Sequence, residues 1–231
     1  MELLQLREHE IFQTLKSIKE SRFVVIGGYA VSSYTLPRFS VDCDIIVGDE
    51  KELNNVSKKL LSIGYENKKS KEQNLPYHKK FERFKKEIAQ GFKVSVDVLA
   101  KEVLDRQTNA KFSAEWVFKN SRKKNLKGRT VSEGLYLRII NPDALFVMKL
   151  VSYRPSDIRD CFMLATSIND KKWIRHEASE RCDFDERFSK LKDAICSKQF
   201  KDNLQGIFGF IEQKIFDKHK KLVLRLEDKS D

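Results

Sequence analysis

Apolar residues recur at two different spacings up to residue 140, and beyond it only the helical spacing persists. Leu4, Ile11, Leu15 and Ile18 predict an amphipathic helix over 3–19. Phe23 to Ile26 is a short β-branched run that stops at Gly27-Gly28, and Tyr29 to Leu36 then reads as a short helix ended by Pro37. A strand over 40–47 follows, then a helix over 50–63 carrying Leu53, Val56, Leu60 and Leu61, with Gly64 as its C-cap. Residues 67–77 are polar and Lys-rich and contain Pro76, which predicts a surface loop. Val94, Val96 and Val98 alternate in a strand over 92–99. Residues 81–88 would pair with it through the three-residue loop Ala89-Gln90-Gly91, although Phe81 and Phe84 also suit a helix. Further on come a short helix over 112–120, a basic turn over 121–129, and strands at Thr130-Val131 and 135–140.

From Asn141 the pattern is helical throughout. Asn141 and Pro142 suit the N-cap and first position of a helix running to Ser152, with Leu145, Met148 and Leu150 facing a core. Helices over 155–168, 172–180, 184–196 and 204–224 complete the chain. The fold class is therefore α+β: an N-terminal mixed-sheet domain over 1–140 followed by a C-terminal helical bundle over 141–231.

Chemistry concentrates in the strand over 40–47. Residues i and i+2 of a strand share a face, so Asp42 and Asp44 stand side by side, with Val41, Cys43 and Ile45 turned away. Like charges that close are unfavourable unless a cation or a shared proton relieves them. On an apolar strand this points to a hard divalent ion, and Mg²⁺ favours one or two carboxylates together with substrate phosphates. Asp97, on the polar face of the later strand with Ser95 and Lys93, would complete the cluster if the two strands are neighbours. Gly27-Gly28 at a strand-to-helix junction leaves free N–H groups to which an anion can come close.

Gly27-Gly28-Tyr29-Ala30, then Arg38-x-Ser40-x-Asp42-x-Asp44, then Asp97 resemble the nucleotidyltransferase superfamily with its DNA polymerase beta-like fold. Within it the chain resembles the AbiEii-like, toxin-type prokaryotic nucleotidyltransferases. The later Pro142-Asp143-Ala144-Leu145, Lys149, Arg154 and Asp157-Ile158-Arg159-Asp160 fit that branch, except that Ser156 stands where a basic residue is usual. The resemblance covers roughly residues 20–165.

It implies a catalytic domain over 1–140 and a helical domain over 141–231 that closes the nucleotide cleft. Asp42, Asp44 and Asp97 would be the catalytic and metal-binding residues for two Mg²⁺ ions or for Mn²⁺, with Asp97 also the proton acceptor. Gly27, Gly28, Arg38, Ser40, Lys149, Arg154, Asp157 and Asp160 would bind or frame the nucleotide. Arg38 is equally placed for solvent, Lys149 for an ordinary surface, and Arg154 for pairing with either Asp across a turn. The implied reaction moves NMP from an NTP to a hydroxyl, on RNA and within RNA on transfer RNA 3′ ends, with an antitoxin protein as partner. Small-molecule and protein-modifying nucleotidyltransferases share this core. A catalytically idle nucleic-acid-binding module is the reading from a different class.

Lys and Arg total 45 against 34 Asp and Glu, a formal charge of +11. Such a surface attracts polyanions and argues against an acidic pocket for a cationic drug. Lys79-Lys80 with Arg83-Lys85-Lys86, and Arg122 through Arg129, are the candidate RNA surfaces, the first with interleaved aromatics. Cys43, Cys161, Cys182 and Cys196 form no zinc spacing, and His176 near Cys182 is too little for a metal site. Cys43 and Cys161 are expected to be buried. With no apolar run long enough for a bilayer and no leader pattern, a cytoplasmic protein with reduced thiols is expected.

Overall fold

The computed structural model describes residues 2–67 and 81–227. The expected loop over 67–77 therefore lies, apart from residue 67, outside the described residues, as do Lys79 and Lys80. Elements follow in the order α1 (Leu3–Ile18), β1 (Phe23–Ile26), α2 (Gly27–Ser32), β2 (Asp42–Val47), α3 (Glu50–Ser62), β3 (Glu66–Asn67), β4 (Phe81–Ala89), β5 (Phe92–Ala100), β6 (Glu102–Leu104), β7 (Lys111–Ser113), α4 (Ala114–Lys119), β8 (Ser121–Leu126) and β9 (Leu135–Ile140). Six helices come next: α5 (Pro142–Ser152), α6 (Pro155–Leu164), α7 (Lys171–Ser179), α8 (Phe184–Cys196), α9 (Lys198–Phe208) and α10 (Gln213–Leu224). Two compact units result. The first comprises Met1–Ser33, Phe39–Val103 and Phe112–Ile140; the second comprises Tyr34–Arg38, Leu104–Lys111 and Asn141–Asp231.

In the first unit a mixed seven-stranded sheet has the order β3-β4-β5-β2-β1-β9-β8. β2 runs parallel to β5 and β1 parallel to β9, while the other neighbours are antiparallel. Alternation sorts the side chains. Cys43, Ile45, Val47, Phe84, Val94, Val96 and Val98 share one face and are buried. α1 and α3 cover that face. Lys86 of β4 reaches Glu10 of α1 at 2.9 Å, and the Ser57 hydroxyl of α3 donates to Glu82 of β4 at 2.8 Å. Asp42, Asp44, Arg83, Lys85, Ser95 and Asp97 line the opposite face. Lys86 therefore leaves the basic cluster to which its neighbours belong.

The second unit packs its helices around Phe162. Its ring meets those of Phe200, Phe216 and His219 at 5.1, 5.0 and 5.3 Å, and its carbonyl pairs with His219 Nδ1 at 3.0 Å. Asn141 caps α5 through Oδ1, which accepts from the Ala144 N–H at 2.8 Å.

Several expectations need correction. The helix after Gly27-Gly28 starts at Gly27 and ends at Ser32, well before Pro37. Val41 is 65% exposed because it precedes the strand instead of joining the apolar face. The run 81–88 is a strand, since its Phe81 and Phe84 sit on opposite faces of a hairpin. The basic segment after Asn120 is strand β8 over 121–126, not a turn; as an edge strand it buries only Leu126, which hides its alternation beneath charge. Thr130-Val131 forms no strand. Its N–H groups and that of Arg129 donate to the buried carboxylate of Glu8 at 2.7 Å (Arg129), 2.7 Å (Thr130) and 3.2 Å (Val131). The last expected helix is two, α9 and α10, parted at Gly209 with φ +85°.

Candidate active site

Register brings the three acids together. β2 and β5 are parallel neighbours in which Asp44 pairs directly with Asp97, and Asp42 with Ser95. One carboxylate oxygen from each of Asp42, Asp44 and Asp97 lies within 4.8 Å of the others. Asp42 and Asp44 are half-buried and Asp97 is buried. Hard oxygen donors from two adjacent strands fit a divalent cation such as Mg²⁺, which soft sulfur ligands would not favour.

Gly27 makes room for this cluster. It adopts φ +66°, and a Cβ there would stand 2.0 Å from Asp44 Oδ2 and 2.9 Å from its Cγ. No L-residue with a side chain satisfies both conditions, so the glycine sets the position of the Asp44 carboxylate. Gly28 is buried in the first turn of α2. Ser40, just before β2, is 8% exposed. Behind the acids, burial pushes the Cys43 thiol well above its ordinary pKa, and Asp44, Asp42 and Asp97 push the same way. That thiol stays protonated and serves as packing.

Arg83 was expected only in a basic surface cluster, and the structure sets it beside the acids. On β4 it pairs with Asp97, and its guanidinium grips that carboxylate as a fork, Nε to Oδ1 at 2.7 Å and Nη2 to Oδ2 at 2.5 Å. The hydrogen bonds to Asp97 raise the guanidinium pKa against a burial that lowers it, and Asp97, Asp42 and Asp44 add charge attraction. A bidentate fork fixes the plane of the carboxylate as well as its charge. Counting outward from the expected loop at 89–91 already sets residue 83 opposite residue 97; in the structure Ala89 pairs with Phe92, and a register shift between Glu87 and Ala89 restores that pairing.

The remaining candidates lie in the second unit, where they hold one another. Lys149 Nζ reaches Asp157 Oδ1 at 2.7 Å and Asp160 Oδ2 at 3.0 Å. Arg38 donates from Nη2 to both oxygens of Asp160 at 3.2 and 3.0 Å, and Arg159 approaches the same group at 3.5 Å. The side chains of Asp160, Asp157, Arg38 and Lys149 are 0, 3, 12 and 14% exposed, so neither Arg38 nor Lys149 is a solvated surface residue. Burial alone would depress the Lys149 pKa, but Asp160 and Asp157 outweigh it and the value is raised. Burial alone would raise that of Asp160, but Lys149 and Arg38 outweigh it and the value is lowered. Arg154 pairs with neither expected Asp through its side chain. Its backbone N–H donates to Asp157 Oδ2 at 3.1 Å, and its guanidinium reaches the buried Asp105 at 3.3 Å.

No family model matches this chain, and no curated protein matches it by sequence. Solved structures do match. MenT4, a nucleotidyltransferase toxin from Mycobacterium tuberculosis, aligns with a TM-score of 0.60 over 99% of this chain and 85% of its own, at 13% identity. An antigenic nucleotidyltransferase-like protein from Paracoccidioides brasiliensis aligns with a TM-score of 0.50 over 94% of this chain and 97% of its own, at 14% identity. A lincomycin-bound lincosamide antibiotic adenylyltransferase aligns at 0.48 over 70% of this chain and 98% of its own, at 18% identity. The chain has the nucleotidyltransferase fold. None of its described helices is long and apolar enough to cross a membrane.

Proposed function

We propose that this protein is a divalent-metal-dependent nucleotidyltransferase that moves NMP from an NTP to a hydroxyl of RNA, as a toxin-type enzyme. The observation that carries the reading is the meeting of Asp42, Asp44 and Asp97 on the sheet of this fold. Bound Mg²⁺ ions would neutralise the triphosphate and acidify the attacking hydroxyl.

Asp42 and Asp44 hold the metal-binding edge of the site, and Gly27 fixes where Asp44 stands. Asp97, oriented by Arg83, takes the proton of the acceptor hydroxyl. The hydroxyl oxygen bonds to the α-phosphorus as the bond to the β-phosphate oxygen breaks, and pyrophosphate leaves with that electron pair. Backbone N–H groups at Gly27-Gly28 are assigned to the triphosphate. For Arg38, Lys149, Asp157 and Asp160, the mutual pairing accounts for their burial, and we assign them to holding the second unit together.

The RNA acceptor rests on the basic composition and on the toxin-type resemblance, which also suggests transfer RNA 3′ ends and an antitoxin partner. The test is incubation with each labelled NTP and Mg²⁺ or Mn²⁺, offering RNA, a panel of cationic drugs and the protein itself as acceptors. Label on RNA is expected, and Asp42→Ala or Asp44→Ala should abolish it. Label on a drug or on protein would replace the acceptor. Nucleotide binding indifferent to Mg²⁺ and to Asp44→Ala, with no label transferred, would leave only a binding module.

A further inference from the structure

The row Phe81, Arg83, Lys85 occupies alternate positions of β4, all on the face of the sheet that carries the triad. Across the strands, Arg83 lines up with Asp97 and Asp44, and Lys85 with Ser95 and Asp42. With strands about 4.8 Å apart, the row runs alongside Asp97 on its side away from β2. The apolar-face helices take the alternate residues Glu82 and Lys86.

Arg83 spends Nε and Nη2 on Asp97, and its side chain remains 44% exposed. A guanidinium has five N–H donors, and among the described residues Nη1 makes no hydrogen bond, so it can take a second anion. Lys85 is half-buried, and among the described residues it forms no ion pair, although Glu66 is its neighbour on β3. The Phe81 ring lies 5.8 Å from the Arg83 guanidinium and is half-buried. An aromatic ring beside two cations on one strand face is the combination that binds single-stranded nucleic acid, by base stacking and phosphate pairing together.

We propose that Phe81, Arg83 and Lys85 form the docking row for a single-stranded RNA acceptor, and that Arg83 also positions Asp97 for proton transfer. This rests on the nucleotidyl-transfer reading above and adds where the acceptor binds. A cationic drug would meet repulsion along the same row. A phosphoprotein acceptor would use the cations without needing the ring.

The experiment uses the whole protein with a fluorescently labelled single-stranded RNA oligonucleotide, in EDTA and without NTP, over a series of salt concentrations. Lys85→Gln should flatten the salt dependence by about one phosphate contact, and Lys85→Glu should weaken binding by about tenfold or more. Phe81→Ala should weaken it by about five- to a hundredfold, the range of one lost base stack. Melting temperature and affinity for a labelled NTP should stay at wild-type values. Arg83→Lys should keep most RNA affinity and KM yet lower kcat, because an ammonium cannot fork both oxygens of Asp97.

RNA affinity and salt slope unchanged in the Lys85 and Phe81 variants would overturn the docking row while leaving RNA labelling by the wild type intact. Loss with Lys85→Gln but not with Phe81→Ala would leave phosphate pairing without base stacking and overturn the row as a single-strand platform. A wild type that labels only a drug would remove the underlying reading as well.

Discussion

Around Asp160 the second unit gathers the ammonium of Lys149 and the guanidinia of Arg38 and Arg159, and the Asp160 side chain itself has no exposure at all. Beside Asp97 the first unit sets the fork of Arg83, while Asp42 and Asp44 stay half-buried within ligand reach of the same carboxylate. Both clusters look alike in sequence, as Asp residues two or three apart near a basic residue. Burial and supplied charge separate them. Where the chain brings its own cations into a dry interior, the pairs lock the framework. Where it leaves acids facing one another at a half-open surface, it leaves room for a divalent ion.

Removing acids should therefore have opposite consequences in the two places. Asp44→Ala should cut nucleotidyl transfer by about a thousandfold or more, as losing a preorganised charge at the reacting centre does. The same change should leave the melting temperature equal or higher, because it relieves like-charge repulsion. A fall in stability with activity intact would make the triad structural.

Lys149→Met should instead destabilise the second unit by about 3–5 kcal/mol in urea unfolding, since it leaves the buried Asp157 without its cation and takes one of three cations from Asp160. An unchanged midpoint with weakened NTP binding would return Lys149 to the nucleotide. Gly27→Ala lies between the two. The left-handed conformation alone costs about 1–2 kcal/mol. The displaced Asp44 should lower kcat by about a hundredfold, the scale of an ångström's misplacement. Wild-type kcat in that variant would mean that the position of Asp44 is not critical.

The smallest effect is in the pH dependence of stability. Asp160 has a folded pKa below its ordinary value of about 3.9, so its contribution is complete above that pH and disappears as pH falls toward the depressed value. Lys149 has a folded pKa above its ordinary value of about 10.4, so its contribution is complete below that pH and is lost as pH rises through the raised value. Urea midpoints of wild type and Asp160→Asn should converge as pH falls below about 4. Parallel curves would deny Asp160 this role.

Much of the site was readable from the chain because strand alternation is local. Asp42 and Asp44 had to share a face, and so did Ser95 and Asp97; only the pairing of β2 with β5 needed the fold. The basic strand β8 was hidden because an edge strand tolerates charge at almost every position. Thr130-Val131 misled because β-branched residues imply a ladder, whereas their N–H groups are claimed by Glu8, whose role has no local signature. The fate of Arg38, Lys149 and Arg154 depended on long-range packing: Arg154 found Asp105 and not its sequence neighbours.

The parallel pairing of β2 with β5 has a bearing on biosynthesis. Parallel strands cannot close as a simple hairpin; they need a crossover, here through α3 and the β3–β4 segment. A growing polypeptide therefore holds Asp42 and Asp44 long before Asp97 emerges from the ribosome to join them. Until β5 is released and docked, the nascent protein has no complete acidic centre, and the nucleotidyl transfer proposed for it would have to wait through the first part of its own translation.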